Sequence, residues 1–193
     1  MATRPFSTDD DGVESLVPGG RPQAGARINR YQLHVVASGM ADVVQSAGGW
    51  LCDRARAGWD VTVLVADNQD ARPLSILGAT ALARDAEFAS IMRPASRGGA
   101  LAISAELLAG NTRVRDDVLR LLKRGLTEVI VWGDEWPAEL GRKVDPVQHQ
   151  MSCAARAFKA SALVAAAVPS DAVAPAETLY RIGTGSFRPL YAV

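Results

Sequence analysis

The chain has 193 residues, of which 48% are hydrophobic and 22% are charged, a nearly average globular composition that excludes disorder throughout. Basic and acidic residues both number 21, and the resulting zero net charge excludes binding to nucleic acid through a general electrostatic footprint. No apolar segment approaches the ~20 residues of a transmembrane helix, and the N-terminus has no signal-peptide pattern. We therefore expect a cytoplasmic protein without membrane contact.

Residues 1–28 are polar and rich in turn formers, including three successive aspartates from Asp9 and the sequence Pro18-Gly19-Gly20. Such a segment buries too little apolar surface to offset the entropy lost on ordering. We predict a disordered N-terminal tail followed by a single domain over residues 29–193. An interaction arm is the alternative function for the tail.

The folded part opens with a βαβ pattern. Tyr31–Ala37 is a short apolar run that predicts a strand, and apolar residues at spacings of three and four predict a helix over Asp42–Ala57. Asp42 is placed to cap the start of this helix, and Gly58 is placed to end it in the left-handed conformation. Asp60–Ala66 predicts a second strand, which we expect to run parallel to the first.

The middle of the chain has weaker patterns. Leu74–Leu77 fits either a short strand or the start of a helix, and Thr80–Met92 predicts a helix. Arg93–Gly99 contains a proline and a glycine pair, so we predict a loop, followed by a strand over Ala100–Ser104. A helix from Asn111 or Thr112 to Arg124 is well marked by its apolar stripe.

Near the C-terminus, Thr127–Trp132 predicts a buried strand. Asp145-Pro146 is typical of a helix start, with Asp as N-cap and Pro as the first helical residue. We predict that this helix runs to about Val168. Two short strands, Thr178–Ile182 and Phe187–Tyr191, would then form a terminal hairpin. Together the elements predict a three-layer, Rossmann-like α/β fold with a mostly parallel sheet and antiparallel additions at one edge.

Candidate ligand-binding residues follow three of the predicted strands. They are Ser38 and Gly39, Asp67 and Asn68, and Asp134 and Glu135. In an open parallel sheet, ligands bind outside the carboxyl ends of the strands, so these residues are expected at one crevice. The alternative is that they are ordinary turn formers.

Two tryptophans near the last of these positions have different predicted roles. Trp132 lies within an apolar strand and should be buried between the sheet and a helix. Trp136 follows in a loop, where it is a candidate interface residue. The alternative for Trp136 is a lid over the core.

No complete catalytic or cofactor motif is present. The glycines do not form a P-loop or a dinucleotide fingerprint, and no serine lies in a nucleophile elbow. We expect Cys52 and Cys153 to be buried small apolar residues, His34 to be a satisfied core histidine, and His149 to be exposed in a helical first turn. The sequence therefore predicts no catalytic residue and no cofactor.

The segment from Ser38 to Val65, with Gly48-Gly49 inside its helix and Gly58 before its second strand, resembles the opening of the LmbE-type zinc-dependent GlcNAc deacetylases. Arg84, Glu87 and the Asp145–His149 stretch follow in the order that this family would use.

The chain departs from that family at its zinc motif. The family's His-Pro-Asp-Asp-Glu sequence aligns with residues 39–43, where Asp42 is the only acid that is kept. Asp42 and His149 alone supply too few ligands for a metal. The resemblance therefore implies an LmbE-like fold that lacks the zinc site, and we expect no metal.

Two functional hypotheses follow. The first is a non-catalytic protein that binds a protein partner or a small ligand. The alternative is an enzyme with its site at the carboxyl ends of the parallel strands, working from Asp67, Asp134 and Glu135. The sequence is compatible with a homo-oligomer and names neither ligand nor partner.

Overall fold

The structure, a computed structural model, describes residues 31–66, 70–82, 88–95, 99–125, 127–134, 144–169 and 173–182. Within these ranges the predicted α/β fold is confirmed, with a seven-stranded mixed sheet. The strands are β1 (Gln32–Ala37), β2 (Asp60–Val65), β3 (Thr80–Ala81), β4 (Ala100–Ser104), β5 (Glu128–Trp132), β6 (Val144–Gln150) and β7 (Ala176–Ile182). The helices are α1 (Met40–Arg56), α2 (Arg72–Ile76), α3 (Phe88–Ala95), α4 (Ala105–Gly110), α5 (Thr112–Arg124) and α6 (Cys153–Ala165).

The strand order in the sheet is β3-β2-β1-β4-β5-β7-β6. β1 to β5 are parallel, and Val35 of β1 lies opposite Val63 of β2 on one side and Ala102 of β4 on the other. β7 runs antiparallel to both β5 and β6. The predicted parallel βαβ unit and the antiparallel additions at one edge are therefore both present.

Alternation along the strands divides the core into two layers. Leu33 and Val35 of β1 pack with residues of α1, α2 and α6 on one face of the sheet. Val36 packs with residues of α3, α4 and α5 on the other face. None of the helices in the described part of the chain combines the length and apolar character that spanning a membrane requires.

The best-predicted helices end at glycines in the left-handed region. Gly58 follows α1 with φ of 87°, and Gly125 caps α5 with φ of 66°. Asn111 caps the start of α5, where its side chain accepts a hydrogen bond from the Val114 amide at 3.1 Å. These ends depend on neighbouring residues alone, so the sequence predicts them well.

The prediction of one helix over Thr80–Met92 is wrong at its start, because Thr80 and Ala81 form β3. Thr80 pairs with Thr62 of β2, and this contact between distant residues overrides the local helical pattern. The predicted loop over Arg93–Gly99 is also wrong at its start, because α3 continues to Ala95. The ambiguous Leu74–Leu77 segment belongs largely to α2, and α4 was not predicted.

The predicted helix start at Asp145-Pro146 is wrong. These residues lie in β6, which pairs with β7 along its whole length. Pro146 is tolerated there because β6 is the edge strand of the sheet. The helix begins later, at Cys153, where the Ser152 hydroxyl accepts a hydrogen bond from the Ala155 amide at 3.0 Å.

Two terminal predictions lie outside the described residues. The N-terminal tail, residues 1–28, and the second hairpin strand, Phe187–Tyr191, remain predictions. The first hairpin strand, Thr178–Ile182, forms part of β7, whose described neighbours are β5 and β6.

A buried ion pair joins α1, α6 and β7. The ammonium of Lys159 donates to a carboxylate oxygen of Glu177 at 2.6 Å and to the carbonyl oxygen of Gln45 at 2.5 Å. The same carboxylate accepts hydrogen bonds from the amides of Gly49 and Trp50 at 2.8 and 2.7 Å. Both side chains are almost fully buried, so each charge depends on these partners.

The glycine pair Gly48-Gly49 inside α1 allows neighbouring side chains to pack closely against this helix. A Cβ on Gly49 would overlap the sulfur of Met151 and lie 3.2 Å from Glu177 Oε1. A Cβ on Gly48 would meet Leu77 Cδ1 at 3.4 Å, which is ordinary contact. The close packing against α1 therefore requires glycine most strictly at position 49.

Alanine substitutions at the two glycines should have opposite effects on the free energy of unfolding. Gly48→Ala should raise it by about 0.5–1 kcal/mol, because alanine is the better helix former. Gly49→Ala should lower it by about 1–3 kcal/mol, because the added methyl group overpacks the space that Met151 fills. Urea denaturation followed by circular dichroism measures both, and equal stabilisation by the two variants would contradict the packing role of Gly49.

Candidate functional site

The carboxyl end of β1 places a carboxylate at the start of α1. Gly39 is the N-cap, with an extended backbone and no side-chain capping bond. The prediction that Asp42 caps the helix is therefore wrong, and Asp42 lies in the first turn instead. Its side chain is free of the capping role and reaches other partners.

Asp42 accepts hydrogen bonds from three elements. The Ser38 hydroxyl, at the end of β1, donates to Oδ2 at 3.1 Å, and the Ser46 hydroxyl, one helical turn further along α1, donates to Oδ1 at 3.4 Å. The indole N–H of Trp132, at the end of β5, lies 3.0 and 3.1 Å from the two carboxylate oxygens. We call Ser38, Asp42, Ser46 and Trp132 the Asp42 cluster.

The Asp42 cluster lies where the strand order reverses. From β1 the chain proceeds to β2 and β3 on one side of the sheet and then returns to β4 and β5 on the other. A crevice opens between the carboxyl ends of strands that diverge in this way, and open α/β sheets bind ligands there. β1 and β4 are the diverging pair, and Ser38 and Asp42 follow β1 directly.

Three of the six predicted ligand-binding residues are described. Ser38 belongs to the Asp42 cluster, Gly39 is the N-cap of α1, and Asp134 is exposed just beyond β5. β4 lies between β1 and β5 in the sheet. At its end, the buried Ser104 hydroxyl caps α4 by accepting a hydrogen bond from the Leu107 amide at 3.2 Å.

The other candidates lie outside the described residues. They are Asp67, Asn68 and Glu135, together with the interface candidate Trp136. Their convergence on one crevice remains a prediction.

Sequence reasoning missed the roles of Ser46 and Trp132 in this cluster. Asp42 and Ser46 are four residues apart, the spacing that brings side chains together on a helix, so this part of the signal was available. Trp132 was correctly predicted to be buried, and its side chain is fully enclosed. Its bond to Asp42 joins residues 90 positions apart, for which the sequence carries no local signal.

A second polar group joins α1 to the start of α6. Asp53 Oδ2 lies 2.9 Å from His149 Nε2 and accepts from the Ser152 amide at 3.1 Å, while Oδ1 accepts from the Ser152 hydroxyl at 2.6 Å. The expectation of an exposed His149 in a helical turn is wrong, because His149 lies on β6 and is half-buried. Partial burial opposes ionisation of Asp53, but the bonds from Ser152 and His149 together hold the pKa of Asp53 below its ordinary value.

His34 and Cys153 depart from expectation, whereas Cys52 matches it. His34 is buried as predicted, but no described residue hydrogen-bonds either of its ring nitrogens, and burial lowers the pKa of this imidazole. Cys52 is buried as predicted, and that burial raises the pKa of its thiol. Cys153 is exposed, contrary to prediction, because it is the first residue of α6 and lies beside the cap.

The described residues do not form the zinc site of the deacetylase family that the sequence resembles. No three His, Cys, Asp or Glu side chains in the described ranges come close enough to hold a metal ion. Both oxygens of Asp42 instead receive N–H or O–H donors, and these donors compete with a cation for the same lone pairs. Asp42 is therefore held as part of a hydrogen-bonded cluster.

No protein-family model and no curated protein matches this chain. Solved structures do share its fold. The A40926 pseudoaglycone deacetylase Dbv21 is 15% identical with a TM-score of 0.52, over 80% of this chain and 98% of that chain. A deacetylase of teicoplanin biosynthesis, solved in complex with teicoplanin, is 12% identical with a TM-score of 0.53, over 81% and 100%.

A third similar structure is GalB, the 4-carboxy-2-hydroxymuconate hydratase of Pseudomonas putida KT2440. It is 13% identical with a TM-score of 0.53, over 83% of this chain and 99% of that chain. At these identities the likeness concerns the fold alone. This chain therefore shares the α/β fold of these deacetylases and of the hydratase.

Proposed function

We propose that the protein is an enzyme that acts on a small polar molecule at the Asp42 cluster. The observation that carries the proposal is a carboxylate held at the strand-order reversal by donors from β1, α1 and β5. The fold supports it as well, because the similar solved structures are deacetylases and a hydratase. Together these observations favour the enzyme over the non-catalytic binding protein that was the first hypothesis from the sequence.

Deacetylation and hydration share one chemical step, the addition of water to an electrophilic carbon. In the proposed reaction Asp42 takes a proton from water while the water oxygen bonds to that carbon. In a deacetylation the carbon–nitrogen bond then breaks, and the nitrogen leaves with the proton that Asp42 took. In a hydration the carbon–carbon double bond opens, and its other carbon takes that proton. A general base of this kind typically contributes about 10²–10⁴-fold to the rate.

The test uses the full chain with two probes, N-acetylglucosamine and 4-carboxy-2-hydroxymuconate. Acetate release is followed by proton NMR, and hydration by ultraviolet absorbance. Wild-type protein should turn over one of the two, and Asp42→Asn should slow that reaction by about 10²–10⁴-fold. Asp116→Asn, on the exposed surface of α5, is the matched control and should leave the rate unchanged.

Circular dichroism must first show that Asp42→Asn is folded. A variant that is folded and as active as wild type would overturn the role of Asp42. Absence of turnover with both probes would overturn the proposal for these two substrate classes.

The binding-protein hypothesis remains the second candidate, and one observation favours it. Each oxygen of Asp42 already accepts hydrogen bonds within the protein, which leaves less capacity for a reacting water. Saturable binding of a probe without turnover, measured by calorimetry and lost in Asp42→Asn, would support this candidate over the enzyme.

A further inference from the structure

His34 lies on β1, an inner strand of the sheet, and its side chain is buried. It is 6% exposed, and neither ring nitrogen has a hydrogen-bond partner among the described residues. The alternation of β1 directs its side chain, like that of Val36, to the face covered by α3, α4 and α5. Buried polar groups without partners are rare in folded proteins, so this one calls for an explanation.

Among the residues that the structure describes, none near His34 would stabilise a positive charge on its ring. Its neighbours in the sheet register are Thr62 and Leu101, and α3, which packs against β1, contributes Ile91 and Ala95 to the same apolar cluster. Protonation would therefore place an unpaired imidazolium in the core, at a large desolvation cost.

The charged groups on the helices of this face do not remove that cost. They are Arg93 on α3, Glu106 on α4, and five basic and two acidic residues on α5. None of them is buried, and their sum is positive. The folded protein therefore binds a proton at His34 less readily than the unfolded chain does, in line with the lowered pKa of this imidazole.

We propose that His34 makes the packing of α3 on the sheet sensitive to acid, and we call this device the His34 latch. Protonation of the imidazole expels the ring from the core, and α3 then separates from the sheet. α3 has only eight residues, and a helix this short is not stable without its packing. The face covered by α1, α2 and α6 contains no unpartnered histidine in the described ranges, because His149 is bonded to Asp53. The proposal is independent of the Asp42 cluster and of any reaction there.

The sign of the pH dependence follows from proton linkage. The unfolded or opened chain binds the proton more tightly than the folded protein does. The stabilising contribution of the neutral, buried His34 is therefore fully present above the ordinary histidine pKa of about 6.5. It is lost as the pH falls below that value. Each unit of pH below about 6 should make opening about tenfold more favourable, until the folded protein itself is protonated.

Amide hydrogen exchange of the full chain between pH 7.5 and 5.0, corrected for intrinsic rates, tests the latch. Amides of α3 should lose protection by about tenfold per pH unit below 6, while amides of α6 keep theirs. His34→Leu and His34→Met should abolish this acid response, and His149→Gln, the matched control, should retain it. In the wild-type protein, the nitrogen NMR chemical shifts of the His34 ring should indicate a neutral imidazole at pH 6.5.

Three results would each overturn the proposal. One is unchanged α3 protection in wild type across this pH range. Another is an acid response that persists in both His34 variants. The third is equal loss of protection in α3 and α6, which would mean global acid unfolding.

Discussion

Replacing Lys159 with methionine should lower the free energy of unfolding by about 3–5 kcal/mol, because it leaves the buried carboxylate of Glu177 without its counter-charge. Methionine retains most of the apolar part of the lysine side chain. The loss of stability therefore reflects the removed charge and not a change in side-chain volume. An effect of this size is a large share of the ~5–15 kcal/mol that stabilises an ordinary domain. Urea denaturation followed by circular dichroism measures it.

Lys123→Met on the exposed last turn of α5 is the matched control and should change stability by less than about 1 kcal/mol. The double variant Lys159→Met with Glu177→Gln should cost less than the sum of the two single changes, since it removes both charges together. Equal effects of Lys159→Met and Lys123→Met would contradict the structural role of the pair.

Trp132→Ala should lower the free energy of unfolding by about 3–5 kcal/mol, as expected for removal of a fully buried aromatic side chain. Trp132→Phe isolates the contribution of the hydrogen bond. It retains much of the ring but deprives Asp42 of an N–H donor, and should cost about 1–3 kcal/mol. Both are measured by urea denaturation with a circular dichroism signal.

Trp59→Phe is the control for Trp132→Phe. Trp59 is only half-buried and stacks on Tyr31 with ring centroids 5.2 Å apart, an arrangement that phenylalanine can largely preserve. It should cost less than about 1 kcal/mol. If Trp132→Phe were no more destabilising than Trp59→Phe, the bond to Asp42 would contribute nothing to stability.

Where the local sequence determines an element, the prediction succeeded. α5 has an N-cap at Asn111 and a left-handed glycine at Gly125, so its bounds follow from residues that lie next to one another. The Asp145-Pro146 pair carries an equally clear local signal and still lies in a strand. β6 is held by pairing with β7, which lies about 30 residues further along the chain. A local pattern cannot reveal such pairing.

The candidate site also combines residues that local sequence could predict with one that it could not. Ser38 was predicted from its place at a strand end, and the spacing of Asp42 and Ser46 along α1 places both near it. The indole of Trp132 reaches Asp42 only because β4 lies between β1 and β5 in the sheet, which is a property of strand order. The sequence indicated β1, β4 and β5 but not their order in the sheet.

The position of β7 has a consequence for synthesis on the ribosome. β7 is the last described strand to be made, yet it lies between β5 and β6, and it carries the carboxylate that Lys159 needs. Until Ile182 has left the exit tunnel, β6 lacks its neighbour among the described strands, and Lys159 on α6 lacks the carboxylate of Glu177. Completion of this side of the sheet therefore requires β7, and until β7 has been made the edge of β5 stays open to pairing with another chain.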